Sequence, residues 1–190
     1  MDQEEILEIF KKKGALITGH FLLTSGLHSH QYLQCANVLQ YPDLAEKLCL
    51  QIANYFAEHE ISVVIAPAVG GILVAHEVAR SLGVRALFTE RENGLMALRR
   101  GFEIQKSERV LVVEDVVTTG GSVSKVIDLV NKLEGNPVGV GCLVDRSGGK
   151  VDFGLELFSL ITLKIEAIPS AKCELCKQGL PLIKPGSRMF

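Results

Sequence analysis

The stretch VLVVEDVVTTGGS, residues 110–122, is the part of the sequence that most clearly indicates a fold. The apolar run that begins at Val110 is typical of a strand buried in a sheet. Two acids and a loop of threonine and glycine follow, and apolar residues at helical spacing then run from Gly121 to Leu133. A strand that passes into a helix through a short loop is one unit of an α/β fold.

The same alternation continues on both sides of this stretch. We therefore predict an α/β fold with a central, mainly parallel sheet flanked by helices. Ligands of such folds bind beyond the carboxyl ends of the strands, which here are followed by residues 66–71, 89–108, 114–122 and 144–149. The predicted strands are Val63–Ala66, Arg85–Thr89, Val110–Glu114, Val138–Val144 and Phe158–Lys164, and the predicted helices are Asp2–Lys13, Pro42–Ala57, Ile72–Leu82 and Gly121–Leu133.

Residues 15–41 show a different pattern. Gly19, Ser25, Gly26 and Ser29 punctuate short extended pieces, which predicts a small irregular substructure. We interpret residues 1–190 as one domain, in which residues 1–41 and part of the C-terminal tail form a hood over a core of residues 42–165.

Composition restricts the class of partner. The formal net charge of −2 gives no overall attraction to nucleic acid or to an anionic membrane. The N-terminus has no apolar segment of signal-peptide length, and no apolar run approaches the roughly 20 residues that span a bilayer. Five cysteines without an export signal indicate reduced thiols. We expect a cytoplasmic protein without a nucleic-acid or membrane partner.

The loop after Val113 has the composition of a phosphate site. Gly120 and Gly121 allow the backbone to approach a ligand closely, and the N–H groups of a helix start favour an anion. Thr118, Thr119 and Ser122 add hydroxyl donors. The lysine of a nucleotide-triphosphate loop is missing, which favours a phosphate monoester. Two acids beside such a cradle could accept hydrogen bonds from sugar hydroxyls, so the stretch suits a ribose 5-phosphate.

This stretch resembles the signature of the type I phosphoribosyltransferases, which bind phosphoribosyl pyrophosphate (PRPP). The resemblance implies that Glu114 and Asp115 are catalytic and hold the ribose hydroxyls, while the loop holds the 5-phosphate. It also implies Mg²⁺ on the pyrophosphate, bound mainly through substrate oxygens rather than by a protein cage. The implied PRPP-binding residues here are Glu114, Asp115, Val116, Val117, Thr118, Thr119, Gly120, Gly121 and Ser122.

A second glycine turn follows the strand at Ala66. Val69, Gly70 and Gly71 could offer backbone N–H groups to the pyrophosphate, although a plain strand-to-helix turn would have the same sequence. Many orotate-specific members of the family carry lysine where this chain has Thr24 and Gly70. The sequence therefore does not decide which basic residues neutralise the pyrophosphate.

Three further segments resemble the orotate-specific members of the family. The N-terminal segment with Ser25-Gly26-Leu27-His28-Ser29 is similar to their hood, and the end of the chain, Cys173–Arg188, is similar to the tail of one bacterial and archaeal branch. The resemblance implies orotate contacts from Tyr32, Thr118 and Arg146. A guanidinium binds a carboxylate bidentately, which fits orotate. The alternatives are a core aromatic for Tyr32 and a solvated arginine for Arg146.

The charged segment Glu90–Glu108 is long for a connecting loop, which usually marks function or disorder. Arg91 is a candidate PRPP contact, and Arg99 and Arg100 are candidate catalytic cations. A solvated charged loop is the alternative. The resemblance further implies a homodimer in which this loop completes the partner's active site.

Cys173 and Cys176 have the spacing of half a zinc site, but no histidine follows them in the sequence. Two such pairs could complete a site across a dimer axis, but we expect unmodified thiols and no protein-bound metal. His20, His28 and His30 have no cysteine or acid at ligand spacing and are assigned to the hood.

The resemblance implies transfer of ribose 5-phosphate from PRPP to orotate, which gives orotidine 5′-phosphate in pyrimidine biosynthesis. Two alternatives remain. One is a phosphoribosyltransferase for a purine or another aromatic base, and the other is a regulator of the same fold that senses PRPP and binds RNA or DNA. Neither a basic face nor an added helix-turn-helix supports the second.

Overall fold

The structure is a computed structural model and describes residues 1–23 and 25–184. In chain order its helices and strands are α1 (Gln3–Lys12), β1 (Leu16–Leu22), β2 (His28–Leu33), α2 (Ala36–Leu39), α3 (Pro42–Tyr55), β3 (Val63–Pro67), α4 (Gly71–Leu82), β4 (Arg85–Glu92), β5 (Leu95–Leu98), β6 (Arg109–Val117), α5 (Gly121–Lys132), β7 (Asn136–Asp145), β8 (Leu157–Thr162) and α6 (Glu174–Lys177), with short 3₁₀ turns at Ala57–His59 and Ser170–Lys172.

Six strands form the central sheet in the order β5-β4-β3-β6-β7-β8. All neighbours run parallel except β5, which pairs with β4 in the antiparallel sense. Since β3 and β6 are central neighbours, the loops that follow them lie side by side at one edge of the sheet. The predicted α/β architecture is confirmed.

Apolar side chains cover both faces of the sheet, because successive strand residues point to opposite sides. On one face Val64 and Leu111 pack with α1, α3 and α4, and on the other Ile65 and Val112 pack with α5. The near-continuous apolar runs of β3 and β6 are thus explained by burial on both sides. None of the helices within the described residues is long and apolar enough to cross a membrane.

The segment predicted to form the hood contains an antiparallel hairpin of β1 and β2. The tail, residues 163–184, joins it through backbone hydrogen bonds: the Leu22 N–H donates to the Ile183 carbonyl, and His28 exchanges a pair of bonds with Ile168, each at 2.8 Å. The last part of the tail motif that the sequence analysis singled out, 185–190, lies outside the described residues, as does Thr24. The division of the chain into hood and core remains a prediction.

The prediction of a long charged loop at 90–108 is wrong in its first half. Strand β4 continues to Glu92, and β5 pairs with it across a turn at Asn93 and Gly94, whose φ angles are 50° and 81°. Asn-Gly is the preferred dipeptide of a two-residue hairpin turn. Strand β6 is also longer than predicted and ends at Val117, so Asp115 lies within the strand as well as Glu114.

Candidate active site

The acid pair lies at the carboxyl end of β6. Glu114 is buried, and its Oε1 accepts a hydrogen bond from the Asp115 N–H at 3.1 Å. Asp115 is half-buried, and its Oδ1 accepts from the Val116 N–H at 2.9 Å. These backbone bonds orient both carboxyl groups at the end of the sheet before any ligand is present.

The two carboxyl groups differ in their surroundings. Burial raises the pKa of Glu114, and the neighbouring Asp115 charge adds to the effect, so that the Glu114 pKa is about 9. A buried carboxyl beside a like charge favours its neutral form. In the free protein the neutral form of Glu114 is therefore favoured.

The turn between β3 and α4 contacts the acid pair directly. A Cβ atom at Gly70 would lie 2.7 Å from both carboxylate oxygens of Asp115, and one at Gly71 would lie 3.1 Å from Glu114 Oε1. The peptide bond between Ala68 and Val69 is cis. The structure thus brings the two predicted glycine turns together at the acids, and Val69 is 81% exposed beside them.

The predicted phosphate cradle wraps the start of α5. Gly120 has φ of 76°, and a Cβ there would come within 2.7 Å of Val151 and 2.8 Å of Phe153, so only glycine fits. Within the described residues no side chain caps α5, which leaves the N–H groups of its first turn free for an anion. A concavity of about 60 Å³ is lined by Glu114, Val116, Val117, Thr118, Thr119, Gly120, Gly121, Ser122 and Val123.

Arg146 follows β7 and is fixed next to the cradle. The backbone N–H of Arg146 donates to the Val117 carbonyl at 2.7 Å. The Asp145 carboxylate accepts hydrogen bonds from the backbone N–H groups of Ser147 and Gly149 in the same loop. Burial lowers the pKa of Arg146, and its Nε is buried without a hydrogen-bond partner in the described part of the chain. A half-buried guanidinium with an unused donor fits an anionic ligand.

Tyr32 lies on β2 of the hairpin. Its hydroxyl donates to Gln34 Oε1 at 3.1 Å, and its ring lies 5.7 Å from that of Phe21. Tyr32 is only partly buried. Its contact with orotate stays a prediction.

Arg99 and Arg100, which follow β5, contact acids of β4. The Arg100 guanidinium donates to both oxygens of Glu90 at 3.0 Å, and Arg99 Nη1 lies 3.8 Å from Glu92. Among the described residues, no hydrogen bond or ion pair joins Arg91, Arg99 or Arg100 to the acid pair. The structure does not bring these predicted residues into the site of the same chain.

The hood also contains a cluster that the sequence analysis missed. His20 and His28, which were set apart from the cysteines, meet Cys173 and Cys176 of the tail. No sequence spacing could have shown this, because 153 positions separate His20 from Cys173. The CxxC pair was the only available signal. His30 is exposed and lies outside the cluster.

The family described as "Phosphoribosyl transferase domain" matches residues 36–153. This segment contains both glycine turns, the acid pair and Arg146. The hairpin β1–β2 and the tail lie outside it, so the matched segment alone carries no information on the hood.

Full-length relatives cover the hood as well. The chain is 59% identical over 190 residues to an orotate phosphoribosyltransferase from Thermoanaerobacter sp. (strain X514), and 58% identical over 190 residues to one from Desulforamulus reducens, with 100% of each chain covered in both cases. The crystal structure of orotate phosphoribosyltransferase from Aeropyrum pernix superimposes with a TM-score of 0.71 at 29% identity, over 84% of this chain and 94% of that one.

Proposed function

The chain belongs to the orotate phosphoribosyltransferases, and from this membership we propose that it joins orotate to the ribose 5-phosphate of PRPP, with release of pyrophosphate. The product is orotidine 5′-phosphate, a precursor of UMP. The observation that carries the proposal is the meeting of the two glycine turns at Glu114 and Asp115. One turn suits the 5-phosphate, the other suits the pyrophosphate, and the acids lie between them.

Displacement of pyrophosphate at the anomeric carbon develops positive charge on the ribose ring. Asp115 and Glu114 would hold the ribose hydroxyls while that charge forms, and interactions that strengthen in the transition state raise turnover. The cradle at Thr118–Ser122 would anchor the 5-phosphate, so that the ring cannot shift relative to the acids. A hydroxyl donated to Glu114 favours its charged form and would offset the effect of burial.

Orotate would bind between Arg146 and the hood. Its carboxylate pairs with the guanidinium in a bidentate manner, which also satisfies the buried Nε. Tyr32 would cover the pyrimidine ring, and the Thr118 hydroxyl could reach its polar edge. Neutral bases have no group for Arg146, which disfavours purines as substrates.

We propose that Mg²⁺ accompanies PRPP. The residues present fit this ion. The acid pair offers two carboxyl groups, and Mg²⁺ is usually held by one or two carboxylates together with waters and substrate phosphates. When bound, the ion neutralises charge on the leaving pyrophosphate.

We also propose a homodimer in which Arg99 and Arg100 serve the active site of the partner. The β4–β5 hairpin projects from the edge of the sheet, and Leu95 at its turn is 70% exposed. Beside it lies a groove of about 640 Å³ with an apolar lining that includes Leu98, Phe102 and Leu133. A second subunit would cover these apolar side chains. A cytoplasmic location is consistent with the free thiols.

The decisive experiment follows orotate absorbance in the presence of PRPP and Mg²⁺. Consumption of orotate, with no reaction of uracil, adenine or hypoxanthine, is expected. Reaction with a purine and not with orotate would overturn the proposal. Omission of Mg²⁺ tests the metal separately.

A further inference from the structure

We propose that His20, His28, Cys173 and Cys176 form a structural zinc site that fastens the tail to the β1–β2 hairpin. Each side chain offers one ligand atom, and the four atoms lie within 4.8 Å of one another. The two histidines and Cys173 are buried, while Cys176 is exposed and leaves one side open for the ion to enter.

The spacing of the ligand atoms fits a tetrahedron. His20 Nε2 lies 3.0 Å from His28 Nδ1, 3.4 Å from Cys173 Sγ and 3.5 Å from Cys176 Sγ. Cys176 Sγ lies 3.2 Å from His28 Nδ1. With Zn–S of about 2.3 Å and Zn–N of about 2.0–2.1 Å, neighbouring ligand atoms of a tetrahedral site are roughly 3.3–3.8 Å apart. Small outward movements would therefore admit the ion.

A second contact fixes the tautomer of His20. Its Nδ1 lies 2.9 Å from the Leu180 carbonyl oxygen, which can only accept a hydrogen bond. Nδ1 must therefore carry the proton, and the Nε2 lone pair faces the cluster. A histidine ligand held by a backbone carbonyl through its other nitrogen is typical of metal sites.

The ligand types select the metal. Two imidazoles and two thiols in a Cys-x₂-Cys pair are the donor set of structural zinc, and hard cations such as Mg²⁺ prefer oxygen ligands. Without a metal, Nε2 of His20 can accept a hydrogen bond, and Nδ1 of His28 and the two thiols all lie close enough to be its donor. One ion would use all four groups at once.

Zinc would connect parts of the chain that are far apart in sequence. The two histidines belong to β1 and β2, and the cysteines lie 153 and 148 positions away from them along the chain. Backbone bonds already hold the tail against the hairpin, and the ion would fasten the end that carries α6. Its role is thus to hold the hood together, at a distance from the chemistry.

The first test measures metal content by mass spectrometry in full-length protein made with zinc and kept reduced. About one zinc per chain is expected in the wild type, with less than roughly a tenth of that in Cys173→Ser, Cys176→Ser or His28→Ala. His30→Ala is the matched control, because His30 lies two positions from His28 on the same strand. Cys49→Ala controls for loss of a buried thiol. Both controls should retain the metal.

The second test begins with the wild type, so it is valid even if a variant fails to fold. Chelation should lower the melting temperature of the wild type by roughly 5 °C or more, and zinc should restore it. Exchange with Co²⁺ should give the strong visible bands of a tetrahedral site and thiolate charge-transfer absorption. His28→Cys should keep the metal and alter those bands.

The results that would overturn the proposal are distinct. One is a wild-type protein that contains no metal under reducing conditions with added zinc. Another is a protein with a disulfide between Cys173 and Cys176 that binds no metal after the disulfide is reduced. The third is an equal zinc content in His28→Ala and His30→Ala. None of these readouts depends on transferase activity, so they leave the proposed function untouched.

Discussion

The Asp115 carboxylate occupies the space that a side chain at Gly70 would take: a Cβ there would be 2.7 Å from both oxygens. This contact couples the two glycine turns, since the turn after β3 sets the position of an acid on β6. A side chain at position 70 would therefore require the Asp115 carboxylate to move.

Gly70→Ala should therefore impair PRPP binding through Asp115. Gly70 has a helical conformation, with φ of −57°, so alanine causes no backbone strain and the effect is purely steric. Crowding of this kind costs about 1–3 kcal/mol, and we expect the PRPP Michaelis constant to rise roughly tenfold. Leu73→Ala, an exposed change on the same helix, should have no effect. An unchanged constant for Gly70→Ala would mean that Asp115 moves freely.

Asp115→Asn should lower turnover by about a hundredfold or more, with the fold intact, because the ribose hydroxyls must be held as charge develops. Steady-state kinetics and circular dichroism of the purified variant are the measurements. Asp152→Asn, at an exposed loop carboxylate that also accepts a backbone bond, serves as the control. Near-normal turnover in Asp115→Asn would remove Asp115 from the catalytic residues.

Arg146→Ala should raise the Michaelis constant for orotate much more than that for PRPP. A charge-assisted pair contributes roughly 1.5–3 kcal/mol, which corresponds to about a tenfold to a few hundredfold loss. Lys150→Ala removes an exposed cation of the same loop and should change neither constant. Equal increases in both constants for Arg146→Ala would show that the guanidinium does not meet the orotate carboxylate.

Glu114 should make stability depend on pH. Its pKa is raised to about 9 in the folded protein, against about 4.3 in an unfolded chain. Its contribution to the free energy of unfolding is thus fully present below pH 4.3 and is lost as pH rises through 9. The slope is at most about 1.4 kcal/mol per pH unit.

Glu114→Gln should remove this dependence, so that the variant gains stability relative to the wild type from pH 5 to pH 9. Urea unfolding at several pH values provides the measurement. Glu58→Gln, an exposed change, should give a constant difference from the wild type. A constant difference for Glu114→Gln as well would mean that the carboxyl is ionised when buried.

Sharing of active sites can be tested with two defective dimers. Asp115→Asn and the double variant Arg99→Ala with Arg100→Ala should each be nearly inactive. In hybrids formed by co-refolding, one site carries both defects and the other carries neither, so an equal mixture should recover about a quarter of wild-type activity. If hybrids form and no activity returns, the arginines act within their own subunit or not at all.

Local sequence patterns were sufficient for much of the fold. The apolar run at Val63 and the one at Val110 predicted central strands, and the glycine turns after them were correctly placed at one edge of the sheet. The hairpin turn at Asn93-Gly94 was missed, because the charges of Glu90 to Glu92 conceal the end of β4, where Arg91 and Glu92 are exposed.

The site was less accessible to sequence reasoning, because its properties depend on distant segments. The protonation of Glu114 depends on how deeply the folded chain buries it. The fit of Gly70 against Asp115 joins residues from different strands, and the pairing of Arg100 with Glu90 depends on the missed hairpin. The meeting of His20 with Cys173 depends on how the two ends of the chain come together.

That meeting has a consequence for how the protein is made. The hairpin emerges from the ribosome well before its partners Ile168 and Ile183 are synthesised. The acid pair and the phosphate cradle can therefore be complete on a nascent chain while the hood is still open. We expect a protein terminated before Cys173 to retain PRPP binding and to bind orotate much more weakly.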